Sequence, residues 1–323
     1  MDTAAVYARF AESQALNGRS PTYQDWARGV AADPELCALL DTLPPARRQP
    51  NLLFAAARLV GAPPALWAEV RPWLLGAWHD VEREMRTRTT QTNEPRRCAT
   101  FLPTLAALGS PVALIEAGAS AGLCLCPDRY SYVYTSPDGS RTRVDPVDGP
   151  SEVLLPCAIQ GPVPERMPEI VWRAGLDLNP LDVRDLADLA WLEALVWPEH
   201  TDRLETLRAA ARVVATDPPH VIAGDLLVGL RDLVDAAPAD ATVVVLHSAV
   251  LCYLTEADRS AFAATMSDLR RSRGVVWLSN EGWTVLPDVA ARLPDGHSPQ
   301  FILAEDGIPV ALTDPHGRSV RLL

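Results

Sequence analysis

Val112-Ala113-Leu114-Ile115-Glu116-Ala117-Gly118-Ala119-Ser120-Ala121-Gly122-Leu123 decides how the chain is read, because an apolar run passes there into a turn of small residues. The run has the length and composition of a strand buried on both faces, and the turn is expected to open a helix. Two chemistries fit these letters. Gly118, Ser120 and Gly122 stand where a G-x-G-x-G turn would have them, so that a nucleotide-bearing ligand can approach bare main chain at the switch point of a parallel sheet. The same residues spell G-x-S-x-G, a nucleophile elbow with Ser120 on a strained strand-to-helix turn. A third reading, a structural strand-turn-helix, needs no ligand at all.

Beyond this stretch, β-rich apolar runs alternate with helical segments, the βα pattern of an open and largely parallel sheet. The further runs are Ile170 to Leu176, Val221 to Ala223, Thr242 to Leu246 and Val275 to Leu278. Helices are expected over about 184–196, 202–214 and 256–271. The end of the chain reads as antiparallel: Gln300 to Ala304, a turn at Glu305-Asp306-Gly307, Val310 to Leu312, a turn at Pro315-His316-Gly317, and Val320 to Leu323. Residues 129–160 interrupt the order with the alternating Tyr130-Ser131-Tyr132-Val133-Tyr134, which predicts a β-hairpin insertion over one face. The expected class is therefore α/β, a Rossmann-like mostly parallel sheet over 109–323 with a C-terminal antiparallel hairpin.

Residues 1–108 read as helices alone, a bundle whose starts are marked by Pro or an N-cap residue. Ser20-Pro21 precedes Tyr23, Trp26 and Val30 on one face, Asp33-Pro34 precedes Leu36, Leu39 and Leu40, and Pro72 is expected to start a stretch through Trp73, Trp78 and Met85. A polar link from Arg86 to Arg97 follows. Asn93 can cap the next helix, in which Pro103 argues for a kink, and the alternative is that Asn93 and Arg97 face a ligand.

Chain order bears on the elbow. A hydrolase of that type places several strands and an oxyanion loop before its nucleophile, whereas here a helical region precedes the first strand. His247, His297 and His316 follow Ser120, none in a distinguishing context.

Composition narrows the classes further. The chain has 323 residues, 48% of them hydrophobic and 22% charged, enough for one large core or two ordinary ones. Its formal charge of −12 opposes binding to a nucleic-acid backbone or an anionic membrane surface. All 29 basic residues are arginine, so phosphate-loop, Schiff-base and kinase mechanisms that need a lysine are excluded. Met1-Asp2-Thr3 carries an acid where a secretory signal carries positive charge, and a cytoplasmic location is expected. Most of the six cysteines read as buried thiols; Cys124-Leu125-Cys126 lacks zinc-site spacing, and no metal centre is expected.

The segment from Leu114 to Gly122 resembles the first motif of class I S-adenosylmethionine-dependent methyltransferases, an acid followed by a glycine-rich turn. With Gln91-Thr92-Asn93-Glu94, Asp177-Leu178-Asn179-Pro180-Leu181-Asp182-Val183 and Val196-Trp197-Pro198-Glu199, the chain resembles a bacterial domain-of-unknown-function family with such a core, over roughly 90–323. It departs from the motif in Ser120 and in the long insertion before the second strand. The resemblance implies that S-adenosylmethionine is bound, with Glu116, Gly118, Ser120 and Gly122 along its methionine and ribose part. Asp177 would accept from the ribose hydroxyls and Asp225 from the adenine amino group; each also has a plain reading as a cap.

His247, at the end of the fourth strand, is the imidazole this fold would bring to the crevice, as a general base. Tyr253 and Asn280-Glu281 would line the acceptor's rim. The expected reaction is methyl transfer to a small molecule, with the helical bundle and the insertion forming the lid. The alternatives are a cyclase or lyase that consumes the sulfonium without methyl transfer, a Ser120 hydrolase, and a non-catalytic adenosyl-binding module.

Overall fold

The computed structural model describes residues 2–15, 20–91, 93–109, 111–293 and 301–323. His297 and Gln300 lie outside the described residues. The chain divides into two compact units, Met1–Thr92 with Asp185–Glu205, and Asn93–Arg184 with Thr206–Leu323.

The first unit is helical: α1 (Thr3–Phe10), α2 (Pro21–Ala31), α3 (Pro34–Asp41), α4 (Pro50–Val60), α5 (Trp67–Gly76) and α6 (Trp78–Thr87). Proline occupies the first turn of α2, α3 and α4, where its missing N–H costs nothing. Ser20 Oγ accepts from Tyr23 N at 3.1 Å, and Asp33 from Glu35 N and Leu36 N at 3.1 and 3.3 Å. Pro72 does not start a helix but lies inside α5, and a new helix begins only at Trp78.

The segment 185–205 belongs to this unit because its tryptophans and Glu199 are bonded into it. Trp191 Nε1 donates to Thr89 O and Trp197 Nε1 to Asn51 Oδ1, both at 3.1 Å, while Glu199 accepts from Ser20 Oγ at 2.6 Å and Thr22 N at 2.9 Å. The rings of Phe10, Tyr23, Trp26, Phe54 and Trp197 form one cluster at the centre.

The second unit opens with a 3-10 turn over Pro95–Arg97 and α7 (Cys98–Ala107), which runs through Pro103. Glu94, not Asn93, caps that turn, accepting from Arg96 N at 3.3 Å.

After α7 come β1 (Val112–Ala117), β2 (Ser131–Thr135), β3 (Arg141–Val144), β4 (Leu154–Gln160) and β5 (Ile170–Asp177). They are followed by α8 (Leu186–Leu195) of the first unit, α9 (Thr201–Thr216), β6 (His220–Ala223), α10 (Leu226–Ala236), β7 (Thr242–Ser248), α11 (Glu256–Arg273) and β8 (Val276–Gly282). A short α12 (Pro287–Ala290) precedes β9 (Phe301–Glu305), β10 (Ile308–Thr313) and β11 (Ser319–Leu322).

All the strands join one sheet in the order β3-β2-β4-β11-β10-β9-β8-β7-β1-β5-β6. The run β6-β5-β1-β7-β8 is parallel throughout, and β9 to β11 continue it as an antiparallel meander. Asp306 and Gly307, at φ 52° and 78°, close the β9–β10 turn. The fold is thus α/β, with a mostly parallel sheet and a helical N-terminal region. Among the described residues no helix is long and apolar enough to cross a membrane.

Two features differ from the sequence expectation. The turn after β1 opens no α-helix: single 3-10 turns at Leu123–Leu125 and Pro127–Arg129 follow, and β2 begins. Gly122 is left-handed at φ 72°, Cys126 lies outside helical geometry at φ −117° and ψ 44°, and Pro127 lacks the N–H that would continue the ladder. The hairpin of the insertion also does not lie over a face but extends the sheet in its own plane, β4 pairing in parallel with β2 and β11. Its tyrosines are buried, and each hydroxyl donates to a main-chain carbonyl: Tyr130 to Leu123, Tyr132 to Pro127 and Tyr134 to Ala99, at 2.6 to 2.8 Å.

Candidate functional site

In the parallel half of the sheet β1 is flanked by β5 and β7, so the strand order turns back on itself at the carboxyl end of β1. Open parallel sheets bind ligands at such a point. The turn that leaves β1 there is held from both sides. Gly118 N and Ala119 N donate to Leu176 O at 2.7 and 3.2 Å, Gly122 N to Ala119 O at 2.7 Å, and Ser120 N to Asp177 Oδ2 at 2.8 Å. Asn93 clasps the opposite side, accepting from Leu123 N at 3.0 Å and donating to Ala119 O at 2.8 Å.

Gly118, Ser120 and Gly122 are left-handed, at φ 78°, 51° and 72°. A Cβ on Gly118 would lie 2.4 Å from Val250 Cγ2, and one on Gly122 would lie 2.6 Å from Pro219 Cγ. The close approach expected of a ligand at Gly118 is therefore made by Val250 of this chain. Packing and backbone geometry already account for the glycine there.

Asp177 ends β5, and its second oxygen accepts from Asn179 N at 2.8 Å. Asp225 sits at the neighbouring strand end, tied to it through Gly224 N to Asp177 O at 2.9 Å. It caps α10 by accepting from Leu227 N at 2.8 Å. Beside these acids Leu178 and Val228 are 79% and 77% exposed, an apolar margin at the carboxyl edge of β5 and β6.

Side chains alternate across the sheet, so the switch point has two faces. Ala113, Ile115 and Ala117 of β1 pack with Val243 and Val245 of β7 and with Phe262 and Met266 of α11. Glu116 points the other way. It is 4% exposed, and its Oε2 has no hydrogen-bond partner among the described residues. Burial, reinforced by the neighbouring Cys124 and Asp177 and only partly opposed by Arg97, holds its carboxyl well above the ordinary range.

Arg97 is 6% exposed and donates through Nε to Pro315 O at 2.9 Å and through Nη1 to Ser248 O at 3.0 Å. It lies within electrostatic reach of Glu116, yet among the described residues no ion pair joins them. On the same face Thr313 Oγ1 donates to Asn280 Oδ1 at 2.7 Å, and Asn280 Nδ2 to Ser248 Oγ at 3.0 Å.

His247 shares the face of Val243 and Val245 and is fully buried. Trp277 Nε1 donates to its Nε2 at 2.9 Å. An indole can only donate, so Nε2 carries the lone pair and Nδ1 carries the proton, which it gives to Glu281 Oε1 at 2.7 Å. Both ring nitrogens are engaged, and the ring meets Phe262 edge-on at 5.3 Å.

Glu281 Oε1 also accepts from Val250 N at 3.0 Å and Leu251 N at 3.1 Å. Together, His247 and Glu281 fix the loop whose Val250 covers Gly118. Tyr253 stands on the rim, 68% exposed.

The structure thus gathers Glu116, Ser120, Asn93, Arg97 and Asp177 about the turn, with Asp225 at the next strand end. His247 and Glu281 lie across the sheet from Glu116. Trp277, Val250 and Ser248 were not singled out from the sequence; their partners His247, Gly118 and Arg97 are 30, 132 and 151 positions away, and no local pattern marks them. Ser120 Oγ is buried and has no partner among the described residues, so no imidazole is bonded to it as an elbow nucleophile requires. Cys98 and Cys126 are buried thiols, the latter pushed up to about 11 by burial. Among the described residues no group of His, Cys, Asp or Glu is arranged to hold a metal ion.

Fold and site together define an α/β protein in which a buried acid and a buried guanidinium stand unjoined at the switch point of a mostly parallel sheet. The chain belongs to the family described as "Uncharacterized protein conserved in bacteria (DUF2332)", whose model matches residues 4–321. Comparison with curated proteins finds no match.

Proposed function

We propose that the second unit has a class I methyltransferase-like core that binds S-adenosylmethionine along the carboxyl edge of β1, β5 and β6 and serves methyl transfer to a small-molecule acceptor. One observation carries the reading: Glu116 and Arg97, both buried at the switch point, form no ion pair with each other within 4.0 Å among the described residues. Buried ionisable groups left in this state are costly and mark a site for a ligand that completes them. An amino-acid moiety matches both groups: its ammonium, placed beside Glu116, would favour the ionised form of the carboxyl, and its carboxylate would pair with Arg97.

Asp225 keeps lone pairs beyond the one used by Leu227 and can accept from an exocyclic amine, while Asp177, at the end of the adjacent strand, stands where the ribose would lie. Leu178 and Val228 supply apolar surface for a flat base. The ligand would contribute an electrophilic methyl on a sulfonium, and the chain would hold and orient it. No residue is assigned as base: the lone pair of His247 is taken by Trp277.

Incubation of the full chain with S-adenosylmethionine and an acceptor panel tests the proposal by mass analysis. Release of S-adenosylhomocysteine is expected. Methylthioadenosine would instead indicate a cyclase or lyase, and tight binding without turnover a binding module. A second reading draws on the left-handed φ of Ser120, which suits an elbow; labelling of Ser120 by a fluorophosphonate would favour it over methyl transfer.

A further inference from the structure

The first unit has a cavity of its own. It has a volume of about 470 Å³ and lies between α1, the π-turn Ala11–Ala15 and the segment leading into α4. Val6, Phe10, Pro45 and Pro50 make its apolar wall, and Ser13 and Gln14 of the π-turn, a local geometry frequent at binding sites, form part of its rim. Among the described residues its charged lining is Arg9 and Arg48, both cations, with no Asp or Glu, although the chain as a whole carries −12.

Arg48 is engaged with Leu43 O and Asp41, at 2.8 Å each. Arg9, in contrast, is exposed and its side chain makes no ion pair among the described residues. Asn51 accepts from Trp197 Nε1 through its oxygen, which leaves its amide N–H groups as donors at the cavity. Apolar walls with a few convergent donors and no negative charge are the form of a small-molecule site selective for anions.

We propose that this cavity binds a small amphipathic anion, its apolar body against Phe10 and its charged head toward Arg9. The site lies wholly in the first unit and is independent of the adenosyl reading. Anilinonaphthalene sulfonate and N-phenyl-1-naphthylamine, which share one aromatic skeleton and differ by the sulfonate, test it when titrated into the full chain. The sulfonate probe is expected to saturate a single site and to bind about tenfold tighter than the uncharged one, as one charge-assisted hydrogen bond implies.

Arg9→Gln, at an exposed position, is expected to erase that preference with thermal unfolding unchanged. Equal binding of the two probes, or a preference that survives Arg9→Gln, overturns the proposal. Val6→Trp fills the cavity from its wall and is expected to abolish single-site binding of both probes in a chain that still unfolds cooperatively; retained binding would likewise overturn it.

Discussion

The two faces of the sheet at its switch point differ in whether their buried ionisable groups are bonded to one another. On the α11 face each polar atom of the His247 ring has its counterpart: Trp277 donates to one nitrogen, Glu281 accepts from the other, and the same carboxylate oxygen gathers the amides of Val250 and Leu251. On the opposite face Glu116 and Arg97 share a neighbourhood without meeting. The α11-face cluster is architecture, because Glu281 Oε1 fixes one loop in one place, although Glu281 Oε2, like Glu116 Oε2, has no partner among the described residues. On the Glu116 face the acid and the guanidinium are not bonded to each other, and the proposed ligand is what would join them.

The largest effect is expected on the α11 face. Glu281→Ala leaves the His247 N–H and two loop amides without an acceptor and should cost about 3–5 kcal/mol in urea unfolding. A loss under about 1 kcal/mol would mean that the loop is not held there.

Next comes the contact between the loop and the turn. Gly118→Ala must place a side chain at φ 78° against Val250, with an expected cost of about 2–4 kcal/mol. Adding Val250→Ala should restore the steric part alone, and a purely additive double variant would show that the two residues do not touch.

A smaller effect of diagnostic shape belongs to Glu116. Its carboxyl is raised in the folded chain, so the folded state holds a proton that the unfolded state releases first. The stability tied to that proton is complete below the ordinary carboxyl range and is lost as pH rises through the raised value. Glu116→Gln removes this dependence, and its melting temperature should gain on that of the parent as pH rises; a constant difference would place the charge elsewhere. The smallest change is Asp225→Asn, which keeps the cap of α10 and should alter stability by no more than about 0.5 kcal/mol while weakening adenosyl-ligand binding about tenfold.

Much of the sheet was legible because its signals are local. The apolar runs at 170–176 and 242–246 lie within β5 and β7, and the helical period at 256–271 lies within α11. What escaped depends on distant partners or on geometry that letters do not carry. Small residues after β1 read as a helix start, but three left-handed residues and Pro127 allow only 3-10 turns. Pro72 reads as a helix start and is an interior residue. The alternating tyrosines announce a strand but not that it extends the sheet's edge, which follows from pairing with β4 and β3. At the site, the acids beside the turn could be named from their positions. The state of His247 could not, because it is set by an indole 30 residues further along the chain.

The central claim is that the Glu116–Arg97 face is completed by the amino-acid end of an adenosyl ligand. Calorimetric titration of S-adenosylhomocysteine into the parent and Glu116→Gln chains tests it most directly. Saturable one-to-one binding, weakened about tenfold or more in the variant while its cooperative unfolding is kept, is the expected result. No binding to the parent, or equal affinity in both chains, would contradict it.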